Sequence, residues 1–176
     1  MRPESELDRF RNIWETEAEN TIRVLQALPV DQYDFRPDPK GRSLGELAWH
    51  LSEIDACLTF GISLGRFRFE DEPPDLKRPR EINLLAPGFR RVHEQAVERL
   101  RSLEPGRLEE VVTFFDGQEM TLREVLWEGL LHHLIHHRAQ LVLLCRMAGG
   151  APPGLYGPNR EEMNALRERM AAGQSG

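Results

Sequence analysis

Cysteine is nearly missing from this chain. Cys57 and Cys145 are the only two in 176 residues. Two cysteines build neither a disulfide framework nor a four-thiolate zinc site, and both read as small buried hydrophobes. Long apolar runs are missing too: nothing approaches the roughly 18 consecutive apolar residues of a membrane-spanning helix. Positive charge is not in excess. The 23 Lys and Arg face 29 Asp and Glu, a net charge of −6, which argues against the clustered basic footprint that nucleic acid requires. The opening MRPESELDRF has no apolar signal core, so the expected location is cytoplasmic. Internal repeats and long low-complexity stretches are also absent. What is present is ordinary for one soluble domain with one core: 40% hydrophobic and 30% charged residues.

Four long helical patterns are separated by loops rich in Pro, Gly and Asp. In the first, from about Ser5 to Leu28, Leu7, Phe10, Trp14, Ala18, Thr21 and Leu25 recur every three or four residues. Ser5 suits the N-cap and Pro29 ends the pattern. The second starts at Ser43, whose spacing to Glu46 is that of a capping box. It carries Leu47, His50, Ile54, Leu58 and Gly61 on one stripe and fades by Gly65. Residues 66–83 form a long polar loop, of a length that often carries function. A third helix runs from about 83–87 to Leu103, with Phe89, Val92, Ala96 and Leu100 inward. Asp116-Gly117 between the short runs at 111–115 and 118–120 predicts a small β-hairpin. Thr121 and Glu124 then open the fourth helix, which runs to Met147 and stops at Gly149-Gly150. A short helix is expected at 159–170, with a frayed end beyond it. The fold class expected is all-α, a four-helix bundle with a short hairpin before its last helix.

Histidine is where the sequence departs from the ordinary. Four of the six histidines lie between Leu131 and Gln140, forming two i, i+4 pairs: His132 with His136, and His133 with His137. Residues four apart share a helix face, so two imidazoles so placed can converge on one metal ion. With His133 at zero and steps of about 100° per residue, Leu122, Leu126, Leu130, His137, Gln140 and Leu144 fall within about 60° of it. Glu124, Glu128, Arg138 and Arg146 fall roughly 140–180° away on the same construction. This places His133 and His137 toward the bundle, His132 and His136 on a flank, and Arg138 in solvent. Two imidazoles leave a metal underligated. His50, on the buried stripe of the second helix, is the first candidate for a third ligand, and His93, beside the buried run of the third helix, is its competitor.

The blocks Ser43-Leu44-Gly45-Glu46-Leu47-Ala48-Trp49-His50-Leu51, Phe115-Asp116-Gly117, Thr121-Leu122 and His133-Leu134-Ile135-His136-His137-Arg138-Ala139-Gln140 resemble the DinB/YfiT-like superfamily of bacterial metal-binding four-helix bundles. The likeness spans about residues 5–148. It implies one DinB-like domain over 1–176, with a bundle core of about 5–148 and a C-terminal extension at 149–176. It also implies up-down-down-up helix order, a metal site of His50, His133 and His137, and a homodimer. Ala139 stands where that family frequently has glycine, which affects helix packing and removes no ligand. The ion expected is divalent, Zn or Ni first and Fe or Mn after them.

Relatives in that superfamily include transferases and isomerases that use mycothiol or bacillithiol, so a small-molecule substrate, with a low-molecular-weight thiol as one option, is implied. Neither nucleic acid nor membrane is an expected partner. A metal with an open position can polarise a carbonyl or lower the pKa of a bound water or thiol, so the first functional expectation is a thiol S-transferase or a hydrolase. The alternative is a non-catalytic metal-binding or stress-related dimeric bundle. The catalytic residues are not fixed by the sequence. Glu53 and Glu46, about one turn either side of His50, are candidates for a general base or for a group that orients a ligand, Gln140 is a candidate to hydrogen-bond a ligand or substrate, and Cys57 stands behind them as a resolving thiol.

Overall fold

The structure is a computed structural model that describes residues 4–173. Its helices are α1 (Glu6–Gln26), α2 (Leu44–Leu64) and α3 (Leu85–Leu100), followed by α4 (122–147) and α5 (Arg160–Gly173). Helix α4 is continuous but changes character. Leu122–Glu124 is α-helical, Val125–His132 is π-helical, and His133–Met147 is α-helical again. Single 3₁₀ turns lie at Ile82–Leu84 and Pro105–Glu109. Antiparallel strands β1 (Val111–Thr113) and β2 (Glu119–Thr121) pair Val112 with Met120, and Gly117 takes the positive φ (84°) that the Asp-Gly turn demands.

The helix starts follow the local chemistry. Capping boxes close at Ser5 with Asp8, at Ser43 with Glu46 and at Thr121 with Glu124, each satisfying backbone donors that the first turn leaves free. Gly65 ends α2 in the left-handed region at φ 66°. The third helix stops at Leu100, three residues short of the predicted end, and Asn159 caps α5 through the Glu162 N–H at 2.7 Å. The frayed end expected beyond α5 lies outside the described residues.

Pairwise contacts fix the helix directions. Trp49 meets Gly88, Asp55 meets His93 and Thr59 meets Arg99, so α2 and α3 run parallel. Arg11 reaches the Leu100 carbonyl and Glu19 pairs with Arg90, so α1 opposes α3. Glu6 meets Trp127 and Glu17 meets Arg138, so α1 and α4 are parallel. The order is up-down-down-up, as the resemblance implies. The core is mostly apolar, with Phe10, Trp14, Trp49 and Phe89 among its largest members, and it also buries Glu17, Asp55, His93 and Arg138. No helix among the described residues is long and apolar enough to cross a membrane.

Candidate metal centre

Three histidines converge where α2 faces the start of the α-helical part of α4. Ligand atoms of His50, His133 and His137 all lie within 4.8 Å of one another. The ring centroids are 4.7 Å apart for His50–His137 and for His133–His137, and 5.7 Å for His50–His133. All three rings are partly exposed, so the cluster sits at the rim of the bundle. Three imidazoles at this spacing could hold one metal ion.

Each ring is fixed by a second contact. His50 Nδ1 lies 3.0 Å from Glu53 Oε2, one turn along α2. His137 Nδ1 donates to Gln140 Oε1 at 2.8 Å, and the Gln140 amide in turn reaches His136 Nε2 at 3.0 Å. His133 hydrogen-bonds the backbone of Gly129. With Nδ1 engaged on His50 and His137, Nε2 is the atom left for a ligand role. Such outer partners fix the tautomer and orientation of a ligating histidine.

The electrostatics of two of the rings favour the neutral form. Burial pushes the His137 imidazole down to about 4; His50 and His133 add to that shift and the Gln140 hydrogen bond opposes it. Burial followed by the His50 charge also pushes His133 down. Both rings are therefore neutral at pH 7 and keep a lone pair for coordination.

Other sequence candidates fall elsewhere. His132 and His136 are exposed. His93 is buried in the core, with Nδ1 2.6 Å from Asp55 Oδ2, and Asp55 also accepts from Trp14 Nε1 at 3.1 Å. It is a core histidine and takes no part in the triad. Glu46 belongs to its capping box and to an ion pair with Arg36 at 2.7 Å. Glu53 and Gln140 touch the triad as ring-orienting groups.

Arg138 corrects the helix-face argument. It is 1% exposed instead of solvated, donating to the Glu17 carbonyl at 2.8 Å and to the Glu17 carboxylate. Tyr156 joins them, its hydroxyl 2.6 Å from Glu17 Oε2. The buried line of α4 beyond residue 132 runs through Leu134, Arg138, Leu141 and Cys145, and His133 and His137 sit to one side of it. The eight-residue π segment causes the error. Its i→i+5 bonding puts more residues in each turn, so the phase counted from Leu122 has slipped before His133 is reached.

A cleft of about 1,060 Å³ opens beside the triad, with His50, His133 and Glu53 on its wall. The 66–83 loop supplies another side. Phe114 and Phe115, just after β1, pack on Phe67 and Phe69 with ring centroids 5.0–5.5 Å apart. This aromatic wall was missed from sequence, although the Phe114-Phe115 pair and the alternating Phe67 and Phe69 were its signal. Cys57 lines the same cleft. Burial, aided by Glu53 and Glu72, pushes its thiol up to about 11, so it is protonated at neutral pH and a poor nucleophile.

Comparison with known proteins agrees with the geometry. The model of the DinB family matches residues 4–171. The "Uncharacterized protein YrdA" of Bacillus subtilis (strain 168) is 30% identical over 157 residues, 89% of this chain and 91% of that protein. A DinB-like protein from Bacillus cereus ATCC 10987 superposes with a TM-score of 0.69 at 30% identity, covering 87% of this chain and 99% of the other. A second DinB-like protein, YjoA from Bacillus subtilis, shares the fold at a TM-score of 0.64 and 22% identity, covering 86% of this chain and 99% of its own. The chain is a member of the DinB family.

Proposed function

We propose that this protein is a divalent-metal-dependent enzyme acting on a small molecule bound in the cleft, as a thiol S-transferase or a hydrolase. The observation that carries the reading is the convergence of three histidine ligand atoms within 4.8 Å at the edge of a cleft that two of those histidines line. His50, His133 and His137 would hold the ion. An imidazole set suits Zn or Ni first, with Fe or Mn as the other options. When bound, the ion supplies Lewis acidity toward a carbonyl, water or thiol.

The chain's own residues do the rest. Glu53 orients His50 and, lining the cleft, is the carboxylate placed to take a proton from a bound substrate. Gln140 orients His137. Phe114 and Phe115 give one side of the cleft an apolar wall. Because Cys57 stays protonated, the thiol of a transfer reaction would come from a low-molecular-weight co-substrate. A homodimer belongs to the same proposal and rests on the family resemblance. Light scattering of the purified chain tests the dimer.

Elemental analysis tests the centre. The wild-type chain and the His93→Ala and His132→Ala variants are expected to carry about one ion per chain, and His50→Ala, His133→Ala and His137→Ala to lose it. Turnover is then assayed with bacillithiol, mycothiol, glutathione and coenzyme A, and with ester and amide panels. An ion in place without turnover on any panel would favour a non-catalytic metal-binding bundle.

A further inference from the structure

The walls of the cleft carry an imbalance of charge that the triad does not use. Five carboxylates line it, on Glu53, Asp71, Glu72, Asp75 and Glu128, against the two cations Arg68 and Lys77. Asp71 is neutralised by the two-pronged Arg66 guanidinium, at 2.8 and 2.9 Å. Without an ion on the triad, four carboxylates therefore face two cations, and a divalent ion there would offset that excess over the cleft as a whole. Among the described residues, the carboxylates of Glu72, Asp75 and Glu128 accept no hydrogen bond and form no ion pair, so their charge is available to a ligand. The Cys57 thiol registers this field, since Glu53 and Glu72 both raise its pKa.

The second feature is aromatic. Phe69 stands 78% exposed, its ring centroid 5.0 Å from that of Phe115. Burying such a ring is favourable, and its face attracts a cation. Acidic groups near aromatic faces are the chemistry that holds an ammonium group. The same charges disfavour an anionic ligand, which would be desolvated beside carboxylates.

We infer that the cleft beside the histidine triad binds a small molecule with a flat apolar or aromatic body and a cationic group, held by Phe69 and Phe115 and by the unpaired carboxylates of Glu72, Asp75 and Glu128. This rests on the reading of the triad as a metal-dependent active site and names the class of substrate for it.

Four probes separate the contributions: benzyltrimethylammonium, tetramethylammonium, benzyl alcohol and phenylacetate. Binding to the purified chain is followed by ligand-observed NMR, with metal content measured on the same samples. The quaternary ammonium has no lone pair, so its binding does not report coordination. Benzyltrimethylammonium is expected to bind at least fivefold more tightly than benzyl alcohol or tetramethylammonium, and phenylacetate, compared on the chelated chain where no ion can take its carboxylate, most weakly. The preference should shrink as salt is raised from about 20 mM to 0.5 M. Phe69→Leu, at an exposed position, and the Glu72→Gln/Glu128→Gln pair should each weaken the aromatic cation severalfold while leaving phenylacetate no weaker. Equal or tighter binding of the neutral or anionic probe overturns the inference, as does binding of the cation that neither variant changes, or no binding of any probe. If the ion is present and the preference absent, this inference fails and the metal reading stands. If the preference is present and the chain binds no ion, the metal reading fails instead.

Discussion

Arg138 follows His137 in the chain, yet the two side chains leave α4 in different directions, one into the core and one to the histidine cluster. The guanidinium hydrogen-bonds Glu17, Thr21 and Tyr156. Removing one partner of a buried pair leaves the other charged and unpaired, which costs about 3–5 kcal/mol. Arg138→Met is therefore expected to destabilise the chain by that amount in urea unfolding, and Arg138→Met with Glu17→Leu to recover most of it. The groups that orient the rings act differently. Glu53→Gln and Gln140→Ala leave every ligand in place but loosen a ring, and losses at such positions run about 10–100-fold in metal affinity. A competition titration with a chromophoric chelator should show weaker binding of that size, with thermal unfolding of the metal-free protein little changed. By contrast, His137→Ala should abolish binding in the same assay.

At the scale of elements, α2 and the 66–83 loop meet at a glycine. A Cβ added at Gly61 would stand 2.4 Å from the buried Phe67 ring. Phe67 in turn supports Phe114 and Phe115. Gly61→Ala is expected to cost about 1–3 kcal/mol through overpacking and to weaken the cation probe in the NMR titration, while metal content stays at the wild-type level. Helix α5 is tied to the bundle by charge. Arg146 holds Glu161 at 3.0 and 3.2 Å. That pair, with the backbone and Arg160 behind it, lowers the Glu161 carboxyl to about 2. The folded value lies below the unfolded one, so this tether is fully present above about pH 4.5 and is lost as pH falls toward 2. Hydrogen exchange across Arg160–Gly173 should accelerate over that window, and Glu161→Gln should show the faster exchange already at pH 7.

At the scale of the molecule, the metal would be held at the rim, away from the core. The core from Phe10 to Leu141 is closed without it. Chelation is therefore expected to lower the melting temperature without unfolding the bundle. At a free ion concentration 100 times the Kd, binding adds about 2.7 kcal/mol, and about 2–4 °C per kcal/mol is usual at this size. A loss of roughly 5–10 °C with helical circular dichroism intact is the expected scan. Collapse of the far-ultraviolet signal on chelation would mean that the ion staples the fold.

Much of this protein was set along the chain itself. The capping residues Ser5, Ser43 and Thr121 and the turn at Asp116-Gly117 act over three or four residues, so helix starts and the hairpin could be read without knowing what packs on them. The i, i+4 spacing of His133 and His137 likewise marks a pair that could share a metal ion, and it can be read locally. Packing decided what the 100° wheel could not. The π segment rotates the second half of α4, sending Arg138 inward to Glu17, 121 residues away. The sequence left His93 and His50 as rivals until the resemblance to a family favoured His50. In the structure His93 is bonded to Asp55, while His50 meets His133 and His137 across two helices. The charge and aromatic walls of the cleft come from 66–83, the hairpin and two helices together. Contacts between residues so far apart depend on loop paths and helix rotation, which no short-range rule along the chain encodes.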